Sequence, residues 1–242
     1  MNDSTARTLW ITGGGSGMGR AIARSAAAQG WSVAVSGRRR EVLDEVVEQI
    51  AADGGTALAV PLDVRDRAAV AEAAWTVVEH FGGLDALVLA AGQNTPQRRW
   101  DDQSIAEFEE IVGTNLTAVA STVDAALPAL REGGGAVVAI SSYAGWSLQP
   151  GAGVAYSASK TAVSSLMRTL NLQEAAHGVR ACHLCPGDVA TDFLDQRPTV
   201  PDAAARSVML TPDDIARTVS FVLESPAHVR IDELVISPVS QA

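Results

Sequence analysis

The sequence predicts an α/β protein, a doubly wound sheet of about seven mostly parallel strands flanked by helices on both faces. Three observations carry this. Short apolar runs alternate with helix-length runs from one end of the chain to the other. A glycine cluster, Thr12-Gly13-Gly14-Gly15-Ser16-Gly17-Met18-Gly19, stands between the first strand and the first helix. Hydrophobic residues make up 47% against 19% charged, which allows a large core and argues against disorder. No linker, repeat or low-complexity tract interrupts the alternation, so residues 1–242 read as one domain.

Thr8 to Ile11 is a short apolar strand, and Arg20 to Gln29 is an alanine-rich helix stopped by Gly30. Between them the glycines let backbone approach a pyrophosphate closely, and the free amides at the helix start carry partial positive charge. Trp31 to Ser36 is the second strand, ending in Gly37-Arg38-Arg39-Arg40. In dinucleotide folds an acid near this turn binds the ribose 2′-hydroxyl, whereas an arginine accommodates a 2′-phosphate. Here there is no acid, so Arg38 and Arg39 favour NADP over NAD.

A helix follows over about Glu41 to Ala52, then a strand from Ala57 to Leu62 ending at Asp63-Val64, where Asp63 either faces an adenine ring or bonds its own turn. Asp66 is a good N-cap for a helix running to His80. Leu84 to Ala90 is nearly all apolar, as in a strand buried on both faces, and it ends in the small residues Ala90-Ala91-Gly92. Ser104-x-x-Glu107 has capping-box spacing, and Gly113-Thr114-Asn115 is a weak spot in the helical stretch behind it.

Ala136 to Ser141 is the fifth strand, and Ser142 stands just past its C-terminal end, where open α/β sheets bind ligands. Val154 opens a helix reaching about Ala176, on which Tyr156 and Lys160 share one face. A phenol of pKa ~10 is a poor acid/base at neutral pH, and a nearby ammonium lowers that value by roughly 1–3 units. Strand six spans Arg180 to Cys185 and leads into Pro186-Gly187-Asp188-Val189-Ala190-Thr191. Residues 192–210 read as a long loop of the kind that forms lids. Thr211-Pro212-Asp213-Asp214 starts the last helix, and Leu234 to Ile236 is the last strand.

The net charge of −10 argues against nucleic acid and against an anionic membrane surface. No apolar run is long enough for a membrane span, and residues 1–8 lack an apolar signal region, so a cytoplasmic protein is expected. Cys182 and Cys185 lie three apart on a strand and so point to opposite faces, which disfavours a disulfide or shared ligation, and no metal site is expected.

Taken together, Thr12/Gly13/Gly17/Gly19, Asp63, Ala90-Ala91-Gly92, Asn115, Ser142, Tyr156 with Lys160, and Pro186-Gly187 with Thr191 resemble the short-chain dehydrogenase/reductase family over about residues 8–237. The resemblance implies a Rossmann fold and hydride transfer between a nicotinamide and a carbonyl or alcohol carbon. It implies Tyr156 as acid/base, Ser142 as hydrogen-bond donor to the reacting oxygen, with Ser141 as the alternative, and Lys160 on the nicotinamide ribose, lowering the pKa of Tyr156. It implies Asn115 holding a relay water, Thr191 and the Val189 backbone at the nicotinamide carboxamide, and Asp63 with Val64 at the adenine. Gly13, Gly15, Ser16, Gly17, Met18, Gly19, Gly37, Arg38, Arg39, Ala91, Gly92, Pro186 and Gly187 complete the expected cofactor contacts. The sequence departs from the family pattern at Leu89-Ala90, where the family usually has two asparagines, and at Cys185, where asparagine is common.

The segment Ser225 to Pro238 is similar to the NADP-dependent 3-hydroxy acid and serine dehydrogenases. Gln93, Asn94, Tyr143, Trp146, Gln149 and Phe193 are candidates for the substrate rim. A carboxylate substrate would find a partner in Arg98, Arg99 or Arg197, whereas Trp146 and Phe193 would equally suit an aryl or alkyl ketone. The other readings kept open are an NAD-dependent alcohol dehydrogenase of the same family, a non-catalytic NADP-binding protein, and an isomerase or dehydratase reusing Tyr156 and Lys160. The resemblance also implies a homotetramer or homodimer, assembled through the helices at 104–131 and 152–176.

Overall fold

A computed structural model describes residues 6–241. Seven strands are formed by β1 (Thr8–Thr12), β2 (Ser32–Gly37), β3 (Thr56–Pro61), β4 (Ala86–Leu89), β5 (Ala136–Ile140), β6 (Arg180–Pro186) and β7 (Glu233–Ile236). They pair in the order β3-β2-β1-β4-β5-β6-β7, every pair parallel. The Rossmann-type architecture expected from the sequence is therefore present.

Parallel strands need crossovers, and helices supply them on both faces. On one face lie α1 (Gly17–Ala28), α2 (Arg40–Ala52) and, from the far end of the chain, α9 (Pro212–Leu223). The other face carries α3 (Arg67–Phe81), α4 (Ile105–Val112), α5 (Ala118–Gly133) and α7 (Val154–Gln173). The strand alternation sorts side chains between the two layers: Leu9 and Ile11 join the α1 side, and Trp10 between them joins the α3 side. Trp10 is wholly buried, and its indole N–H donates to Ser36 Oγ at 2.9 Å.

Several local expectations are met in detail. Asp66 caps α3 through Ala68 and Ala69, and Ser104 with Glu107 closes a reciprocal capping box on α4. Thr211 and Asp214 do the same for α9, with Pro212 in its first turn. The weak stretch at 113–115 becomes a π-helical turn, Gly113–Thr117, between α4 and α5.

Other expectations shift. α1 begins at Gly17 rather than Arg20, because the end of the glycine loop is already its first turn. α7 stops at Gln173, and a 3₁₀ turn (Ala175–His177) ending on Gly178 at φ 71° takes over the last residues. Residues 192–210 are not one open loop: they hold a 3₁₀ turn (Asp192–Gln196) and a short helix, α8 (Ala203–Ser207). Arg206 ties this segment together through Asp195 at 2.6 Å and the Thr191 carbonyl at 3.1 Å.

From β1 the chain winds outward to β2 and β3, and from β4 it winds the other way. Crossovers therefore leave a crevice at the carboxyl ends of β1 and β4, where the two loops diverge.

Candidate active site

Two cavities open at those carboxyl ends and meet. The first, about 430 Å³, runs along the glycine loop and is lined by Gly13, Gly15, Ser16, Gly17, Met18 and Gly19, with Ala91 and Gly92 from the loop after β4. Two glycines are required by space. A Cβ on Gly13 would lie 2.6 Å from Ala91 N, and one on Gly19 would lie 2.2 Å from Gly13 O. Gly13 also holds φ 69°, where side chains are strained. The loop thus packs backbone on backbone and leaves a glycine-walled cradle in front of α1.

Gly37, Arg38, Arg39, Asp63, Val64 and Arg65 line the other end of this groove. Asp63 does not stand free. Its carboxylate accepts from the Arg65 backbone at 2.9 Å and pairs with the Arg65 guanidinium at 2.8 Å. The Arg65 hydrogen bond holds its carboxyl below the usual range, with Arg38 adding a smaller pull. Of the two readings of Asp63, the one in which it bonds its own turn is present. Arg38 and Arg39 remain exposed on the groove.

The second cavity, about 510 Å³, holds Ser142, Tyr143, Gln149, Tyr156, Pro186, Gly187, Val189 and Phe193. Met18, Asn94, Thr191 and Phe193 line both cavities and mark their junction. Ser142 N-caps the short helix α6 (Tyr143–Trp146), accepting from Ala144 N at 3.2 Å, and this fixes its hydroxyl at the end of β5. Burial pushes the Tyr156 phenol above its ordinary value, and a hydrogen bond offered by Ser142 and the charges of Arg98 and Arg197 pull it partly back. The Phe193 ring lies 6.1 Å from that of Tyr156.

Lys160 is one turn further along α7 and buried, with Nζ donating to the Ile140 carbonyl at 3.0 Å. Burial pushes its pKa down to about 8. Its Nζ lies 5.7 Å from the Tyr156 ring centroid, and the position a Cβ on Gly92 would take is 3.7 Å from it. Asn115, at 0% exposure in the π turn, spends its amide on Gln93, accepting from its N–H at 2.8 Å and donating to its carbonyl at 2.9 Å. That clamp fixes the loop after β4 beside Lys160.

A family model described as short chain dehydrogenase matches residues 7–200. The chain belongs to the short-chain dehydrogenase family. It is an oxidoreductase of that family, whose members act on small molecules. Over 235 residues it is 34% identical to glycine betaine reductase of Emericella nidulans, matching 94% of this chain but only 18% of that much longer protein. It is 33% identical to an uncharacterized oxidoreductase of Staphylococcus aureus, covering 95% of this chain and 96% of the relative. Among solved structures it is similar to an alcohol dehydrogenase from Thermococcus sibiricus complexed with 5-hydroxy-NADP, with TM-score 0.89 and 31% identity over 98% of each chain. The closed form of a serine dehydrogenase complexed with NADP+ matches with TM-score 0.88 and 30% identity, covering 97% of this chain and 96% of that one.

Within this short-chain dehydrogenase, three expected positions fall elsewhere. Trp146 lines neither cavity; it is 50% exposed and stacks edge-on against Tyr143, their centroids 5.1 Å apart. Gln93 lines the glycine groove rather than the substrate side, because Asn115 holds its backbone there. Arg99 points away and pairs with Asp101 at 3.1 Å. Ser141, the alternative serine, has its hydroxyl engaged by the Lys160 carbonyl at 3.2 Å.

Other cavity residues escaped the sequence reading. Arg65, Asp188, Gln196 and Gln241 all line the site. Gln241 arrives from the end of the chain and accepts from Asp188 N at 2.8 Å, a contact that no motif announces.

Cys182 joins the α1-side core and Cys185 lies on the opposite side, as expected of residues three apart on β6. Cys185 Sγ is 3.3 Å from His183 Nδ1, which is 3.0 Å from Glu233 Oε2 on β7, so the three ligand-type groups cluster. The sequence reading weighed only the cysteines and missed this grouping, because Glu233 comes from a different strand. Burial pushes the Cys185 thiol up to about 12, and His183 with Glu233 forms a hydrogen-bonded pair. Among the described residues no helix is long and apolar enough to cross a membrane.

Proposed function

We propose that this chain is an NADP(H)-dependent oxidoreductase that interconverts a carbonyl and a secondary alcohol with Tyr156 as the acid/base. One observation carries the reading: the Tyr156 phenol and Ser142 face one cavity that joins a glycine-walled groove through Met18, Asn94, Thr191 and Phe193. A dinucleotide fits that groove, because Gly13, Gly15, Gly17 and Gly19 wall it without side chains in front of the start of α1, and Arg38 and Arg39 stand at the end where a 2′-phosphate would lie. Bound there, the nicotinamide supplies the hydride. The neighbours crystallised with 5-hydroxy-NADP and NADP+ support the choice of NADP.

In the reduction direction the phenol, kept protonated by its burial, gives its proton to the carbonyl oxygen. The Ser142 hydroxyl donates to the same oxygen as negative charge develops there. Lys160 has N–H donors beyond the one on Ile140 O, and with these it would hold the cofactor ribose. Asn115 keeps the loop carrying Gly92 in place. Thr191 and the Val189 backbone would serve the carboxamide, and Val64 with Asp63, whose carboxylate is held by Arg65, would border the adenine. The chain is further proposed to be cytoplasmic and to form a homotetramer or homodimer.

Tyr156→Phe is expected to lower kcat by roughly 10²–10⁴ while NADPH still binds, read by NADPH absorbance against a ketone panel and by cofactor titration. Normal turnover by that variant would refute the assignment. Arg38→Asp should raise KM for NADPH and leave NADH less affected. An unchanged NADPH preference places the 2′-phosphate elsewhere.

A further inference from the structure

The substrate cavity contains two arginines in opposite electrostatic situations. Arg197 is gripped by both oxygens of Asp188, so its charge is answered. Arg98 is half-buried, and among the described residues its guanidinium meets no carboxylate. It donates instead to three neutral carbonyls: Nε to Thr95 O at 2.9 Å, one terminal nitrogen to Gly151 O at 3.2 Å, and the other to Gln196 O at 3.0 Å. Three of its five N–H groups are used in this way, which leaves one on each terminal nitrogen.

A guanidinium taken partly out of water with no counter-charge is costly. Burial and the charge of Arg197 both push the pKa of Arg98 down. The fold nonetheless holds the residue rigidly. Thr95, Gly151 and Gln196 belong to three separate segments that converge on it. Gly153, at φ 107°, makes room for it: a Cβ there would lie 3.2 Å from Arg98 Cγ. Val154 N donates to the Arg98 carbonyl at 3.1 Å, so Arg98 is in register with the start of the helix that carries Tyr156.

We propose that Arg98 anchors a carboxylate of the substrate, so that the carbonyl compound handled here is a keto acid and the alcohol a hydroxy acid. The proposal rests on the reading of this cavity as the place where a carbonyl is reduced. The carboxylate supplies the counter-charge that Arg98 lacks and takes the two remaining N–H donors. Because Arg98 and Tyr156 are joined through the Gly153–Val154 backbone, that contact also sets the distance from the carboxylate to the acid/base. Arg197 adds attraction without giving up Asp188.

The test uses full-length protein saturated with NADP+, with which a ketone cannot react, and measures binding by calorimetry. Pyruvate, acetoacetate and levulinate, which separate carbonyl and carboxylate by increasing lengths, are each compared with the corresponding amide. At least one acid should bind roughly tenfold to a hundredfold tighter than its amide. Arg98→Gln should weaken acid binding far more than amide binding and so remove that preference, and Arg98→Lys should keep part of it. Equal binding of every acid and amide overturns the proposal, as does a preference that survives in Arg98→Gln. If Arg98→Gln does not fold, Arg98→Lys decides by the same ratio, an undiminished preference counting against the proposal. NADPH-dependent reduction of a neutral ketone, and its loss in Tyr156→Phe, tests the parent reading separately.

Discussion

At the scale of single residues, the Tyr156–Lys160 pair behaves differently from its sequence-level expectation. Spacing suggests that the lysine makes the phenol more acidic. In the structure burial dominates and raises the phenol, and the groups that favour its ionised form are Ser142, Arg98 and Arg197. A raised phenol is a proton donor across the neutral range. Carbonyl reduction should therefore be nearly flat with pH up to weakly alkaline values, whereas alcohol oxidation, which needs the phenolate, should rise with pH. Initial rates in both directions check this. Lys160 itself falls from 10.5 to about 8. Between those values the unfolded chain holds a proton that the folded protein has lost, so stability gains as pH rises. The unfolding free energy of the cofactor-free protein, relative to Lys160→Met, should increase from about pH 8 to 10 in denaturant titrations. A constant difference would mean that the ammonium is stabilised in place.

At the scale of elements, the caps and the glycine loop are the most legible features, because each depends on neighbours within a few residues. Ser104/Glu107 and Thr211/Asp214 form their reciprocal boxes as read. The tightest spot is Gly19, where a Cβ would sit 2.2 Å from Gly13 O. Gly19→Ala has to push the loop away from α1, at a cost of roughly 1–3 kcal/mol. It should lower Tm by several degrees and weaken NADPH binding, measured by thermal melts with and without cofactor. An unchanged melt and affinity would mean that the loop yields freely. The segment at 192–210 was legible only as long and irregular. Its 3₁₀ turn and α8 depend on Arg206 reaching back to Asp195 and Thr191, contacts that no local pattern encodes.

For the molecule as a whole, the helices expected to mediate assembly, at 104–131 and 152–176, divide their apolar residues between core and surface. Leu166 packs into the α3-side core, whereas Leu172 near the end of α7 is 78% exposed and Ile105 on α4 is 69% exposed. If the proposed oligomer uses these helices, light scattering should give a multiple of 25.1 kDa, and Leu172→Arg should reduce it. A monomeric wild-type protein would reject that assembly.

The alternation of apolar runs, the helix caps, the glycine loop and the shared face of Tyr156 and Lys160 follow from short-range chemistry, because backbone freedom, hydrophobic period and side-chain spacing act within a few residues; Ser142 joins that pair only through the family resemblance. What fills the substrate cavity does not follow from short-range chemistry. The Gly151 and Gln196 carbonyls on Arg98, Gln241 on Asp188 and, outside the cavity, Glu233 beside His183 are meetings of segments far apart in the chain. They exist because the sheet order brings the ends of β4, β5, β6 and β7 side by side, and the sign and balance of charge around the phenol are settled only by that convergence.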